Sequence, residues 1–161
     1  MLSSSINVTG KPFGDTIRLW YTSYKNDGTT ALTDTLAVGY PVCLVIATTA
    51  GALNGGEAGK CVTKPETALL ARFAGVITNL PDGTLGGSTS KPGWIEVCPT
   101  CPNIPVYHAT TVTAATNLGL VDGSWGVDDT TPTFDTCVGF ALAGNSSAAK
   151  NANASIFSKY F

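Results

Sequence analysis

The sequence predicts an all-β fold: a single compact β-barrel or β-sandwich domain over residues 15–145, with extended arms at 1–14 and 146–161. Three observations carry this. Short runs rich in Val, Ile, Thr and aromatic residues recur along the chain, divided by clusters of Gly, Pro, Asn and Asp. Apolar positions at helical spacing are almost absent. The 18 Gly and 9 Pro among 161 residues leave no sustained heptads.

Residues 1–14 hold only scattered apolar positions and read as an extended arm. A strand follows at 16–24, where Ile17, Leu19 and Tyr21 alternate with Arg18, Trp20 and Thr22. Lys25-Asn26-Asp27-Gly28 supplies a turn with a residue that tolerates positive φ. Residues 42–48 form a continuous, largely β-branched run suited to a buried strand, and 50–59 form a Gly-rich loop. Pro65 and Glu66 suit the start of a short helix over 65–71. Strands at 72–78 and 93–98 flank a surface loop at 81–92. Further strands are expected at 104–110, 118–121 and 137–143, with Pro105 marking an edge or a strand start. From residue 144 the chain is rich in Asn, Ala and Ser, and it closes on Ile156-Phe157-Ser158-Lys159-Tyr160-Phe161. Two short echoes link Phe73-Ala74-Gly75-Val76-Ile77 with Val138-Gly139-Phe140-Ala141-Leu142, and Tyr40-Pro41-Val42 with Ile104-Pro105-Val106. Two related strand units would explain them; shared strand composition is the simpler account.

Composition narrows the function. Only 12% of residues are charged, about half the usual share, and the formal charge is −2. A nucleic-acid binder needs a dense basic stripe, which this balance does not provide. No apolar run approaches the roughly 20 residues that span a bilayer as a helix. The opening residues lack a basic and an apolar region, so they do not read as a signal peptide. With so little charge, self-repulsion is weak and association with other protein surfaces is easy.

The residues that carry chemistry do not assemble into a recognisable motif. Cys98-Pro99-Thr100-Cys101 has the spacing of a redox or zinc pair. Pro102, Asn103 and Pro105 deny it a following helix, and no second close pair completes a zinc site, so it reads as a turn between strands. Cys43, Cys61 and Cys137 sit in apolar runs and read as buried thiols. His108 is the only histidine and lacks a nucleophile or metal-binding partner at recognisable spacing. Asp122, Asp128, Asp129 and Asp135 are close in sequence but lack the calcium-loop pattern. The segment Asn54-Gly55-Gly56-Glu57-Ala58-Gly59-Lys60-Cys61 fails as a phosphate loop at both ends. Neither catalysis nor a cofactor is expected.

The ordered series Gly39-Tyr40-Pro41-Val42-Cys43-Leu44, Arg72-Phe73-Ala74-Gly75-Val76-Ile77, Gly93-Trp94-Ile95-Glu96-Val97, Asn117-Leu118-Gly119-Leu120-Val121-Asp122-Gly123 and Cys137-Val138-Gly139-Phe140-Ala141-Leu142-Ala143 resembles the head decoration, or capsid cement, proteins of tailed bacteriophages. The resemblance covers roughly residues 36–143. It implies a non-enzymatic β protein on the outside of the virion capsid, made in the host cytoplasm. Its partners would be the major capsid protein and itself, as a homotrimer, with no nucleic acid and no membrane. The five cysteines and the aromatic C-terminus depart from that pattern. The expected contact residues are the large aromatics of the arms and strands: Phe13, Trp20, Trp125, Phe157, Tyr160 and Phe161. Two other readings compete. One is a different virion module, such as a fibre, tail or minor capsid protein. The other is a carbohydrate-binding sandwich with Trp20, Trp94 and Trp125 on one exposed face.

Overall fold

Among the described residues, ten strands build two closed five-stranded barrels in tandem, where the sequence predicts one barrel or sandwich. The computed structural model describes residues 15–46, 53–57, 59–129, 132–133, 135–144 and 150–160. The expected N-terminal arm, with Phe13, lies outside them. The first barrel contains β1 (Ile17–Tyr21), β2 (Pro41–Leu44), β3 (Cys61–Thr63), β4 (Phe73–Asn79) and β5 (Gly93–Cys98). The second contains β6 (Cys101–His108), β7 (Asn117–Leu120), β8 (Val127–Asp128), β9 (Cys137–Ala141) and β10 (Lys150–Ile156). The helix expected at 65–71 is a 3-10 helix, Thr67–Arg72, which buries Leu69.

The two barrels are copies of one topology. In the first, β1 runs parallel to β3 and antiparallel to β5, while β2–β3, β2–β4 and β4–β5 are antiparallel. In the second, β6 runs parallel to β8 and antiparallel to β10, while β7–β8, β7–β9 and β9–β10 are antiparallel. The register repeats as well. When Val42↔Gly75 is matched to Leu118↔Gly139, Ile77↔Val97 falls on Ala141↔Ala154, and Leu44↔Val62 on Leu120↔Val127. Leu19↔Ile95 likewise falls on Val106↔Ala152.

Irregular features repeat too. Bulges interrupt both β2–β4 and β7–β9, after Val42 and after Leu118. Just before β2 and β7, the Gly39 amide donates to the Ile77 carbonyl (2.9 Å) and the Ala115 amide to the Ala141 carbonyl (2.8 Å). Both residues have positive φ, 95° at Gly39 and 65° at Ala115. The first sequence echo therefore joins equivalent strands, β4 and β9, one residue out of register. The second joins β2 to β6, which are not equivalent.

Each barrel is filled, and the two share an apolar layer. Leu19, Tyr21, Val42, Val62, Ala74, Ile77, Ile95 and Val97 fill the first. Ile104, Val106, Leu118, Leu120, Val127, Val138, Ala141, Ala154 and Ile156 fill the second. Cys43, Phe73, Val76 and Cys98 project from the first barrel's strands on the other side of the pleat, yet they are buried in the second barrel's cluster. Burying such side chains at about 25 cal/mol per Å² welds the units together.

The barrel also runs beyond residue 145. The sequence assigns 146–161 to a contact tail, but β10 pairs with both β6 and β9, and its Ala154 and Ile156 are buried. Of that segment, only residues 157–160 follow the last strand among the described residues.

Candidate interaction surface

The outer side of β9 and the end of β10 carries most of the exposed large apolar side chains. Phe140 faces out from β9 at 42% exposure, and Leu142 follows two residues later at 42%. Ser155 pairs with Phe140 across the ladder, so residue 157 returns to the same face. The Phe157 amide continues the ladder by donating to the Val138 carbonyl (2.9 Å), and its ring is 39% exposed. Tyr160 is exposed just beyond, where its amide donates to Ser158 Oγ (3.1 Å). Ser158 itself donates to the Phe73 carbonyl (2.8 Å), tying this end of the chain to the first barrel.

Of the aromatic contact residues expected from sequence, Phe157 and Tyr160 are exposed on this surface, and Phe13 and Phe161 lie outside the described residues. Trp20 is half-buried on β1, edge-on to Trp94 at 5.2 Å, with Nε1 donating to the Asn54 carbonyl (3.2 Å). Arg18 lies over the Trp94 ring. Trp125 is only 6% exposed. The turn between β7 and β8 places it against the first barrel, stacked on Tyr40 at 5.3 Å and beside Tyr21. It is a packing residue between the barrels, which corrects its assignment as a contact residue. It also removes the three-tryptophan face of the carbohydrate-binding reading.

Phe140 and Leu142 are what sequence reasoning missed. Residues 137–143 are apolar on both faces, which reads as a strand buried on both sides. Only the topology reveals that β9's outer face has no covering element among the described residues.

The polar side chains mostly serve the fold. Cys98 and Cys101 are buried, with their thiols facing the Thr100 and Asn103 carbonyls at 3.4 and 3.3 Å. Burial pushes the Cys43 thiol well above its ordinary range and Cys61 up to about 11, so neither is a ready nucleophile at neutral pH. Cys137, expected to be buried, is half-exposed.

The Asp cluster does not converge. Asp122 accepts from the Thr67 amide (2.8 Å), Asp129 from the Thr113 amide (3.0 Å), and Asp135 pairs with Lys159 (3.9 Å). Among the described residues, no three His, Cys, Asp or Glu side chains gather as metal ligands would. His108 and Tyr21 hold equivalent places, β6 matching β1, and both are fully buried. The Tyr21 hydroxyl finds no hydrogen-bond partner among the described residues, and His108 faces the Ala152 backbone without a well-formed bond. An open cleft of about 450 Å³ lies where the barrels meet, lined by Lys25, Lys64, Glu66, Thr67 and Asp122 among others. Its acids are engaged: Glu66 accepts from the Asn26 amide (3.1 Å), and Asp122 holds Thr67.

No family model matches this chain, and no curated protein matches it in sequence.

Proposed function

We propose that this chain is a structural virion protein of the capsid-decoration type, which binds the outside of an assembled phage capsid and stabilises it by bridging subunits. The single observation that carries the reading is the division of labour among its side chains. The Asp122, Asp129 and Glu66 carboxylates hold turns and the seam between the barrels, whereas four of the exposed large apolar side chains, Phe140, Leu142, Phe157 and Tyr160, stand on the outer side of β9 and the end of β10. Such a surface does its work by contact. On a shell that repeats the same site, weak contacts add through avidity and favour the assembled state by mass action.

The test is co-sedimentation of the purified chain with assembled shells of the major capsid protein from the same virus. Saturable binding to the outer surface, with a higher disruption temperature for the decorated shell, is expected. Failure to bind intact shells refutes the reading.

A further inference from the structure

The internal repeat identifies what covers the exposed β9 face. In the first barrel, Pro41, Cys43, Phe73, Val76 and Cys98 form an outward face that is buried. Their equivalents in the second barrel are Asn117, Gly119, Cys137, Phe140 and Ser155. Of these, Asn117 and Phe140 are exposed, Cys137 and Ser155 are half-exposed, and Gly119 is covered by Pro132. A pseudo-two-fold would bring the same face of both barrels together. Among the described residues only one copy of the face is covered, so the barrels meet head to tail. A head-to-tail contact leaves one used face free at each end.

One edge of the covering side, beside the cluster that buries Cys43, Phe73, Val76 and Cys98, can be named in the same way. The second barrel meets the first through Tyr107, whose amide donates to the Gly39 carbonyl (2.9 Å) and whose ring meets Tyr40 at 5.0 Å. Asn151, paired with Tyr107 on β10, packs against Gly39. The equivalents of Tyr107 and Asn151 in the first barrel are Trp20 and Trp94, a half-buried aromatic pair on its surface. The equivalents of Gly39 and Tyr40 are Ala115 and Thr116, beside the Phe140 face, with Ala115 exposed. Among the described residues, each chain thus carries one exposed acceptor face around Phe140 and, in Trp20 and Trp94, a half-buried donor pair bordered by Arg18 and the turn at Asn54.

We infer that the outer face formed by Ala115, Asn117 and Phe140 docks the first barrel of a second copy of this chain, with Trp20 and Trp94 meeting Ala115, by the contact already made between its own two barrels. The two contacts differ in one respect. The Trp20 amide donates to the Lys60 carbonyl within its own barrel (2.8 Å), so the contact between copies rests on rings rather than on a counterpart of the Tyr107 hydrogen bond. The inference does not depend on capsid binding.

The experiment is sedimentation and light scattering of the purified chain alone. The unsubstituted chain is expected to self-associate. Phe140→Lys or Asn117→Lys breaks the acceptor and Trp94→Gln breaks the donor, each weakening association at least about thirtyfold, the scale of a lost hot spot. Unchanged thermal midpoints show that the variants fold, and the two acceptor variants back each other up. An equimolar mixture of an acceptor variant with the donor variant should form a one-to-one dimer, because one intact donor meets one intact acceptor; that outcome distinguishes head-to-tail from two-fold contact. A chain monomeric at millimolar concentration, self-association indifferent to both acceptor substitutions, or a mixture that forms no dimer each overturns the inference.

Discussion

Gly75 and Gly139 hold the same place in the two barrels, and neither has room for a Cβ. One added at Gly75 would stand 2.4 Å from the Cys98 carbonyl oxygen, and one at Gly139 would stand 2.0 Å from that of Ser155. The obstacle is neighbouring backbone in both cases, so the ladder must move rather than a side chain. Gly75→Ala and Gly139→Ala should each destabilise by about 1–3 kcal/mol or more, as overpacking does. Urea unfolding checks this, and a loss at only one position would show that the repeat is not mechanically equivalent.

His108 yields a second expectation at this scale. Burial lowers its pKa from the ordinary 6.5, outweighing the opposite pulls of the Ala152 backbone and of Asp129. The folded state therefore resists protonation more than the unfolded state does. The stability this group contributes is intact above pH 6.5 and is lost as pH falls below it, towards the lowered folded value. His108→Leu should lose that part of the acid sensitivity, so the variant's stability relative to the unsubstituted protein should rise between pH 7 and pH 5 in urea titrations. A difference that stays constant with pH would count against a neutral buried imidazole.

At the scale of the strand, β10 is the element whose role is most exposed to experiment. It joins β6 to β9 and closes the second barrel. Ile156 is 2% exposed within that core, so Ile156→Ala should cost about 2–5 kcal/mol. Deleting 155–161 removes two of the three β9 pairings, Ser155↔Phe140 and Ile156↔Gly139, and should lower the thermal midpoint sharply. A truncated protein that keeps its midpoint would restore the detachable-arm reading.

The same strand shows why parts of this fold escape sequence reading. Ala152, Ala154 and Ile156 alternate with Asn151, Asn153 and Ser155, a period of two, but Ala is too weakly apolar to stand out. β3 and β8 have three and two residues, too few for any period. The longer strands were legible because β-branched residues mark them: 93–98 agrees with β5, and 72–78 differs from β4 by one residue at each end. The interaction surface was half legible. An aromatic near a chain end is visible in sequence, as with Phe157 and Tyr160. The exposure of Phe140 depends on what the rest of the fold fails to cover.

For the whole molecule, the question is whether two closed barrels behave as two domains. A closed barrel has no unpaired sheet edge, and each has its own filled interior, so independence is the naive expectation. The shared layer argues otherwise. Separation would expose Cys43, Phe73, Val76 and Cys98, and it would strip Tyr40 of Trp125 and Tyr107. It would also break the bonds from Ser158 to Phe73, Thr67 to Asp122 and Gly123 to Pro65. Each large side chain returned to water costs about 1.5–3 kcal/mol, so a handful equals much of a typical domain's stability. The full chain should therefore unfold in one calorimetric transition, with van't Hoff and calorimetric enthalpies in agreement. Fragments 15–99 and 100–161, made separately, should show no cooperative transition. Two resolved transitions, or a fragment that folds alone, would mean that the layer between the barrels is an ordinary domain contact, and the same weakness would then be expected wherever a second copy repeats it.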